Sequence, residues 1–502
     1  MKTTEYLPVK NNQVIALKDI PEYDYAFFLE LNTGFLKDCP SRHCVNYFGY
    51  HTRHDIKLIC CMADDETHLI YISSSLVGRA SNLASFTAQH PNFEKFEREI
   101  HENFGINYTD HPWLKPMRYA FDRADSKQRI ANYPFYTVES EELHEVGVGP
   151  IHAGIIEPGH FRFICNGEQI MHLEIQLGYQ HRGIEQLFLE KKKLLERTTL
   201  AESITGDTVA GHTTAFVNLW ESLCDYTPDY SLLWARTVAL ELERIAVHTG
   251  DLGGICADMA YQLGESVFGR LRTPIINFLQ EWGGNRFAKG LIRVGKINYP
   301  FTAELAVRLQ TVLNAYEPDF DEMAKQLFTL SSALSRMEKT GIVSYEEILE
   351  IGTVGMAARM NALSRDIRSS HAFCLYDKLD HQPIIKHHGD VYSRAQIRRL
   401  EIKQSIGYIR ELLKKVPKFS KPSDTTLVPR ANAFVLSLVE GWRGEICHCA
   451  ITNNKGSLAV YKIKDPSHHN WMALAQAVRN NDISDFPICN KSFNLSYSGH
   501  DL

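Results

Sequence analysis

The sequence predicts an α+β protein: a small N-terminal α/β domain over 1–120, a polar linker over 121–147, and a large, mainly α-helical domain with peripheral sheet over 148–502. Three observations predict it. Strand-like runs followed by a glycine-terminated helical run fill the first segment. Long stretches with apolar residues at three-to-four spacing dominate the second. Period-two alternation returns after about residue 445.

In chain order, Ile56–Met62 and Thr67–Ile72 read as strands separated by the acidic turn Ala63–Glu66, and Asn92–Phe104 as a helix stopped by Gly105. Asp122–Arg129 and Glu139–Glu142 mark the linker. Tyr230–His248 predicts a helix ending near Gly250, and Ala303–Glu317 and Phe320–Lys339 a helical pair broken at Pro318. Tyr345–Ser369 and Ala395–Val416 predict two more helices, and Leu458–Ile463 a strand.

Composition narrows the function. With 44% hydrophobic and 23% charged residues the chain is ordinary for a packed globule. A net charge of -6 lacks the basic footprint that nucleic-acid binding needs. The start Met1–Tyr6 has no apolar core of a secretory signal, and no apolar run reaches the ~18 residues of a spanning helix. The eleven cysteines form no Cys-x-x-Cys, which predicts reduced, mostly buried thiols in a cytoplasmic protein. Val146-Gly-Val-Gly-Pro150 lacks the third glycine of a dinucleotide fingerprint. His387-His388 and His468-His469 are adjacent pairs without metal spacing and read as surface loops, and Lys191–Lys193 as a solvated helix face.

Ordered motifs then carry a family likeness. Gly149-Pro-Ile-His152, Glu157-Pro-Gly-His160 and Gly178-Tyr-Gln-His181-Arg-Gly-Ile-Glu185 open it. Glu241–His248, Gly284–Phe287, Thr340–Ile342, Asp366–Arg368, Glu440-Gly-Trp-Arg-Gly-Glu445, Asp465-Pro-Ser467 and Asn470–Leu474 continue it. Together they resemble the large subunits of membrane-associated nickel–iron hydrogenases of the formate-hydrogenlyase type, and their relative, the quinone-site subunit of respiratory complex I. Phe96–Ile100, Phe104-Gly-Ile106 and His111-Pro112 resemble the smaller complex I subunit that is fused ahead of the large one in formate hydrogenlyases.

In such hydrogenases two Cys-x-x-Cys pairs hold the metals. Aligned on the flanking motifs, the first pair falls here on Thr205 and Thr208, and the second on Ser496 and Gly499. Hydroxyls and a glycine do not replace thiolates for nickel, so the resemblance implies a retained scaffold without a nickel–iron centre and without metal ligands. In complex I a tyrosine near the first pair clamps the quinone; Gly206 stands in its place. The candidate catalytic residues are Asp207, Glu185, His212, Arg443 and Glu445, and the candidate quinone contacts His152, His160, Thr208 and Tyr497. Asp207 either titrates at a raised pKa in the emptied cavity or pairs with Arg182 or Arg443. Glu185 and Glu445 either carry protons or pin helices through ion pairs, and His212 is either a packing residue or a relay.

The resemblance implies a chain peripheral on the inner face of the cell membrane, with an iron–sulfur small subunit and antiporter-like membrane subunits as partners. Electrons from the partner's iron–sulfur cluster would pass to a quinone or another acceptor, coupled to ion translocation. The alternatives are a non-catalytic scaffold, its cavity filled by Asp207, Tyr497 and His500, and an active hydrogenase with unusual ligands.

Overall fold

A computed structural model describes residues 5–154, 156–419 and 427–502. The chain is α+β, as the patterning predicts.

The N-terminal sheet runs in the order Leu7–Val9, Leu69–Val77, Ile56–Asp64, Arg42–His51, with Glu22–Tyr23 added parallel to Leu69–Val77. Both of its faces are buried, and the period of two separates them. Tyr47, Leu58, Cys60 and Met62 pack under the helix Tyr25–Leu36 with Phe28, Phe86 and Phe93. Val45, Phe48, Ile59 and Cys61 face the opposite way and join the main core. The adjacent cysteines thus belong to different cores. The helix Glu94–Phe104 ends at Gly105, whose φ of 69° closes its last turn.

The strand Leu143–Val148, inside the run read as linker, pairs with His160–Asn166, which pairs in turn with Gln169–Gln176. A C-terminal antiparallel sheet joins Ala433–Glu440, Glu445–Thr452 and Leu458–Lys464, and Ile15–Ala16 from the start of the chain extends its edge. In chain order the helices Val209–Leu223, Tyr230–Asp258, Gln262–Gly283, Ala303–Leu327 and Val391–Leu413 come between the strands of these two sheets.

Several elements differ from expectation. The helix from Tyr230 does not stop near Gly250 but runs to Asp258. There the glycines serve close packing: a Cβ on Gly250 would sit 3.2 Å from Arg272 Cδ, and one on Gly253 3.4 Å from Phe268 Cβ. Pro318 does not break Ala303–Leu327, because it lies on the exposed face, where the carbonyl it leaves unbonded meets solvent. The reverse happens over 345–369. Gly352 (φ 71°) and Gly355 (φ 63°) split that run into Tyr345–Ile351, Met356–Arg359 and Ile367–Ser370. His468 and His469 are buried near the start of the helix Ser467–Ala477, with ring centroids 4.6 and 5.3 Å from Phe96, whereas His387 and His388 are exposed. Lys191–Lys193 are exposed in the link between two helices and not on a helix face.

Candidate functional site

The segment Ser203–Thr208 leads into the helix Val209–Leu223, whose first N–H groups are satisfied from outside. Glu243 accepts from Ala210 N at 2.7 Å and Gly211 N at 3.2 Å. Burial pushes the Glu243 carboxyl up to about 8 despite these donors. At the C-terminal frame, Ser496 Oγ accepts from Gly499 N at 2.8 Å and caps the turn Tyr497–Asp501. The two frames meet: a Cβ on Gly499 would lie 2.8 Å from Thr205 Cγ2 and 2.7 Å from Asp465 Cγ.

Arg443 enters from the hairpin between Ala433–Glu440 and Glu445–Thr452. Its neighbour Gly444 (φ 140°) crosses Gly355, and a Cβ on Gly444 would meet Gly355 Cα at 2.7 Å. Only two glycines allow this backbone approach. Arg443 holds Asp207 at both oxygens, 2.7 Å to Oδ1 and 2.6 Å to Oδ2, and also donates to Thr208 Oγ1 at 3.1 Å and to Asn494 O at 2.5 Å. Its guanidinium stacks 4.0 Å from the Trp442 ring, whose Nε1 donates to Asp207 O at 2.9 Å. Thr205 and Thr208 hydroxyls complete the shell of Asp207 Oδ1 at 3.3 and 3.1 Å. The Asp207 side chain is 33% exposed and that of Arg443 4%, so Asp207 is the more exposed member of the pair.

The expectation of a raised Asp207 is corrected here. Burial pushes it upward, but the charge and hydrogen bonds of Arg443 outweigh burial and hold it below the usual carboxylate value. The partner is Arg443; Arg182 donates instead to the carbonyls of Ser203 and Ile204.

His212 is one step removed. Its Nε2 lies 3.0 Å from Asp465 Oδ2 and its Nδ1 3.1 Å from His448 Nε2, and His448 Nδ1 lies 2.8 Å from Tyr461 OH. The Asp465 carboxylate fixes the proton on His212 Nε2. Donation then runs from Tyr461 through His448 and His212 to Asp465, beside Gly499. Burial, then the nearby His212, holds His448 well below its ordinary value.

Glu185 and Glu445 lie in other clusters. Glu185 accepts from Lys462 Nζ at 2.6 Å and Ile463 N at 2.8 Å, and it shares Lys462 with Glu99. Burial and Glu99 raise it. Glu445 pairs with Lys464 and with His43 Nε2 at 2.7 Å, tying the N-terminal sheet to the C-terminal one. Burial pushes Glu445 up, but Lys464 and His43 together hold it far below its ordinary value.

His152 Nε2 and His160 Nδ1 bond to their own loop, at 2.8 Å to Gly159 O and 3.1 Å to Gly149 O. That loop packs on the C-terminal frame: a Cβ on Gly159 would lie 2.6 Å from Tyr497 Cε1, and Glu157 Oε2 accepts from Ser498 N at 3.1 Å. The structure therefore gathers Thr205, Asp207, Thr208 and Arg443 with Ser496 and Gly499, and places His152, His160 and Tyr497 together alongside. Sequence reasoning missed Asp465 and Glu243 as members, although both sit inside motifs that carry the likeness.

The donors do not suit a nickel–iron centre. Two threonines, a serine and a glycine stand where four thiolates are needed, and the carboxylates beside them are already engaged, Asp207 by Arg443 and Asp465 by His212. Cys489 packs elsewhere, against Gly341 and Arg394, and burial pushes its thiol up to about 12. Among the described residues no three His, Cys, Asp or Glu side chains converge as metal ligands.

Two segments, Thr205–Thr208 and Ser496–Gly499, therefore meet under the Arg443 hairpin, behind a sheet-and-helix N-terminal module. Residues 265–435 match the family of 49 kDa subunits of respiratory-chain NADH dehydrogenase, and residues 29–124 the family of its 30 kDa subunits. Hydrogenase-4 component G of Escherichia coli K12 is 26% identical over 80% of this chain and 72% of its own length. The carbon monoxide-induced hydrogenase of Rhodospirillum rubrum is 27% identical, over 69% and 95%. The C/D component of the NADH-quinone oxidoreductase of Phocaeicola vulgatus is 24% identical, over 70% and 73%. The chain thus resembles both subunit families, with a 30 kDa-type segment ahead of a 49 kDa-type segment in one chain. Among the described residues no helix is long and apolar enough to cross a membrane.

Proposed function

We propose that the chain is the large subunit of a membrane-associated oxidoreductase complex without a nickel–iron centre, and that it delivers electrons from a partner's iron–sulfur cluster to a quinone or similar acceptor. The complex as a whole couples this transfer to ion translocation, and the chain sits peripherally on the inner face of the membrane between the iron–sulfur subunit and antiporter-like subunits. The relatives support the complex: they are named as components of hydrogenases and of NADH-quinone oxidoreductase.

The observation that carries the reading is the Asp207–Arg443 pair, seated where the resemblance places the reactive centre, with the Asp207 side chain one third exposed. Asp207 stays ionised, so it is not the proton donor. Arg443 is a fixed buried cation, and an acceptor that gains electrons beside it develops negative charge facing that cation. The Thr205 and Thr208 hydroxyls donate to Asp207 and hold it in place against Arg443. One observation favours a scaffold instead: Gly499, Thr205 and Asp465 are in contact, so the space between the two frames is filled.

The test uses the intact complex extracted in mild detergent, its iron–sulfur cluster reduced, and quinone reduction followed against Asp207→Ala and Arg443→Met. A fall of tenfold or more, about 1.4 kcal/mol of transition-state stabilisation, supports the redox reading. Unchanged turnover in both variants, or no turnover from a complex with a reducible cluster, rejects it for the scaffold.

A further inference from the structure

A cavity of about 230 Å3 lies where the helix Glu94–Phe104 of the N-terminal segment meets the strand Gln169–Gln176 and the helices Ser467–Ala477 and Tyr497–Asp501. Its rim at Pro91, Pro112 and Arg479 is exposed, and its floor at Met117, Trp471 and His500 is buried. Trp113, Leu173, Leu177 and Met472 make the walls largely apolar. None of Thr205, Asp207, Thr208 or Arg443 lines it.

Polar and charged side chains line it as well, among them Glu94, Arg98, His172 and Glu174, and two of its polar groups bear on what it could hold. The first is His500, 2% exposed. Its Nδ1 lies 2.9 Å from Asp501 Oδ1, and the Asp501 carboxylate also accepts from Gly178 N at 2.9 Å and Gln180 N at 2.8 Å. A carboxylate with that load is an acceptor, so His500 carries its proton on Nδ1 and keeps a lone pair on Nε2. Nε2 is buried and has no hydrogen-bond partner. Burial, with Arg118 and Lys95 nearby, holds the imidazole well below its ordinary value, so the ring is neutral. The second is Lys95, 9% exposed, whose ammonium reaches Glu94 Oε2 at 3.4 Å and has further N–H groups to give.

His172 Nε2, in the same lining, is buried and unpartnered too, and a buried acceptor calls for a donor, because a buried polar atom left unpaired costs about 1–3 kcal/mol. Apolar and indole walls call for a flat, apolar body. The volume sets the size: an apolar cavity of roughly 150 Å3 takes up benzene, so this one has room for one or two fused rings.

We propose that this cavity binds a small aromatic alcohol, its hydroxyl donating to His500 Nε2 and its ring lying between Trp113 and Trp471, with Lys95 free to donate to a second oxygen on the ring. The inference stands apart from the redox reading, since it uses none of the Asp207–Arg443 residues.

The test is calorimetric titration of the full chain with 1-naphthol and with 1-methoxynaphthalene, which has the same rings and no donor. The expected result is saturable binding of 1-naphthol at least tenfold tighter than that of the ether, with the preference lost in His500→Phe and both ligands excluded by Ala475→Trp. Equal affinities in the wild-type chain overturn the proposal without recourse to any variant. So does the absence of saturable binding, which would leave water as the partner of Nε2. A preference for the alcohol that survives in a folded His500→Phe also overturns it.

Discussion

Glu445 is fully buried between Lys464 and His43, and its replacement by glutamine should be among the costliest single changes in the chain. The Lys464 side chain is 1% exposed, so the variant strands an ammonium away from water. Breaking a buried pair from one side costs about 3–5 kcal/mol. Unfolding entropy of about 2.1 cal/mol/K per residue gives roughly 1 kcal/mol/K for a chain of 502 residues. If the chain melts as one unit, the midpoint falls by about 3–5 °C, and by more if a smaller unit melts first. Removing both charges, as Glu445→Leu with Lys464→Met, should recover most of the loss, since apolar replacement of a buried pair is often neutral. The sign with pH follows from the depressed carboxyl. Its stabilisation is full above the ordinary glutamate value near 4.3 and disappears as pH falls through the lower folded value. The gap between wild type and Glu445→Gln should therefore narrow in acid. Differential scanning calorimetry at pH 7 and pH 3.5 reads both effects. A shift under 1 °C at pH 7, or a double variant as damaged as the single ones combined, would refute the reasoning.

Three further outcomes follow from the backbone. Gly444→Ala places a methyl against Gly355 at a φ of 140°, so it should lower the melting midpoint and abolish any activity that depends on Arg443; a variant with wild-type melting would contradict the crossing. Gly499→Cys, the return of one family ligand, should destabilise by about 1–3 kcal/mol through overpacking against Thr205 and Asp465, and nickel analysis of the purified variant should find none. Pro318→Ala, on the exposed face of Ala303–Leu327, should stabilise by about 1–3 kcal/mol as the missing backbone bond forms; unchanged or lower stability in thermal melts would mean that the proline shapes the helix against its neighbours.

How far the sequence spoke depended on how local the determinant was. The Glu94–Phe104 helix with its Gly105 stop and the strand pair around Ala63–Glu66 are decided within a few residues, and periodicity found them. Gly250 and Gly352 carry the same local signal yet behave oppositely. Gly250 is kept helical by packing against Arg272, and Gly352 adopts a φ of 71°. No window of sequence contains that difference. The charges behave likewise. Arg394, Arg398 and Glu401 look like one charged helix face, but all three are buried. Arg398 pairs with Asp251 at 3.0 Å and Glu401 with Arg359 at 2.8 Å, from other parts of the chain. The site followed the same rule. Motif order located Thr205–Thr208 and Ser496–Gly499, but which arginine meets Asp207 is settled across 236 positions.

Arg443 gives a physical reason for an aspartate in the Thr205–Thr208 segment. A guanidinium 4% exposed needs a counter-charge. Once the frame reads Thr-Gly-Asp-Thr, the only anion at that rim that grips both guanidinium nitrogens among the described residues is Asp207. The pair should then be energetically coupled. Because the Asp207 side chain is one third exposed, solvent screens the pair, and the expected coupling is about 1 kcal/mol rather than the several of a fully buried pair. A thermodynamic cycle of Asp207→Asn, Arg443→Met and the double variant, read by denaturant unfolding of the full chain, measures it. The single Arg443→Met should also raise the Asp207 carboxyl toward its burial-dominated value, so that variant alone should lose stability as pH climbs from 4 to 7. A coupling of zero with a flat pH profile would mean that Arg443 is held by Trp442 and Asn494 instead, and that Asp207 merely fills the space.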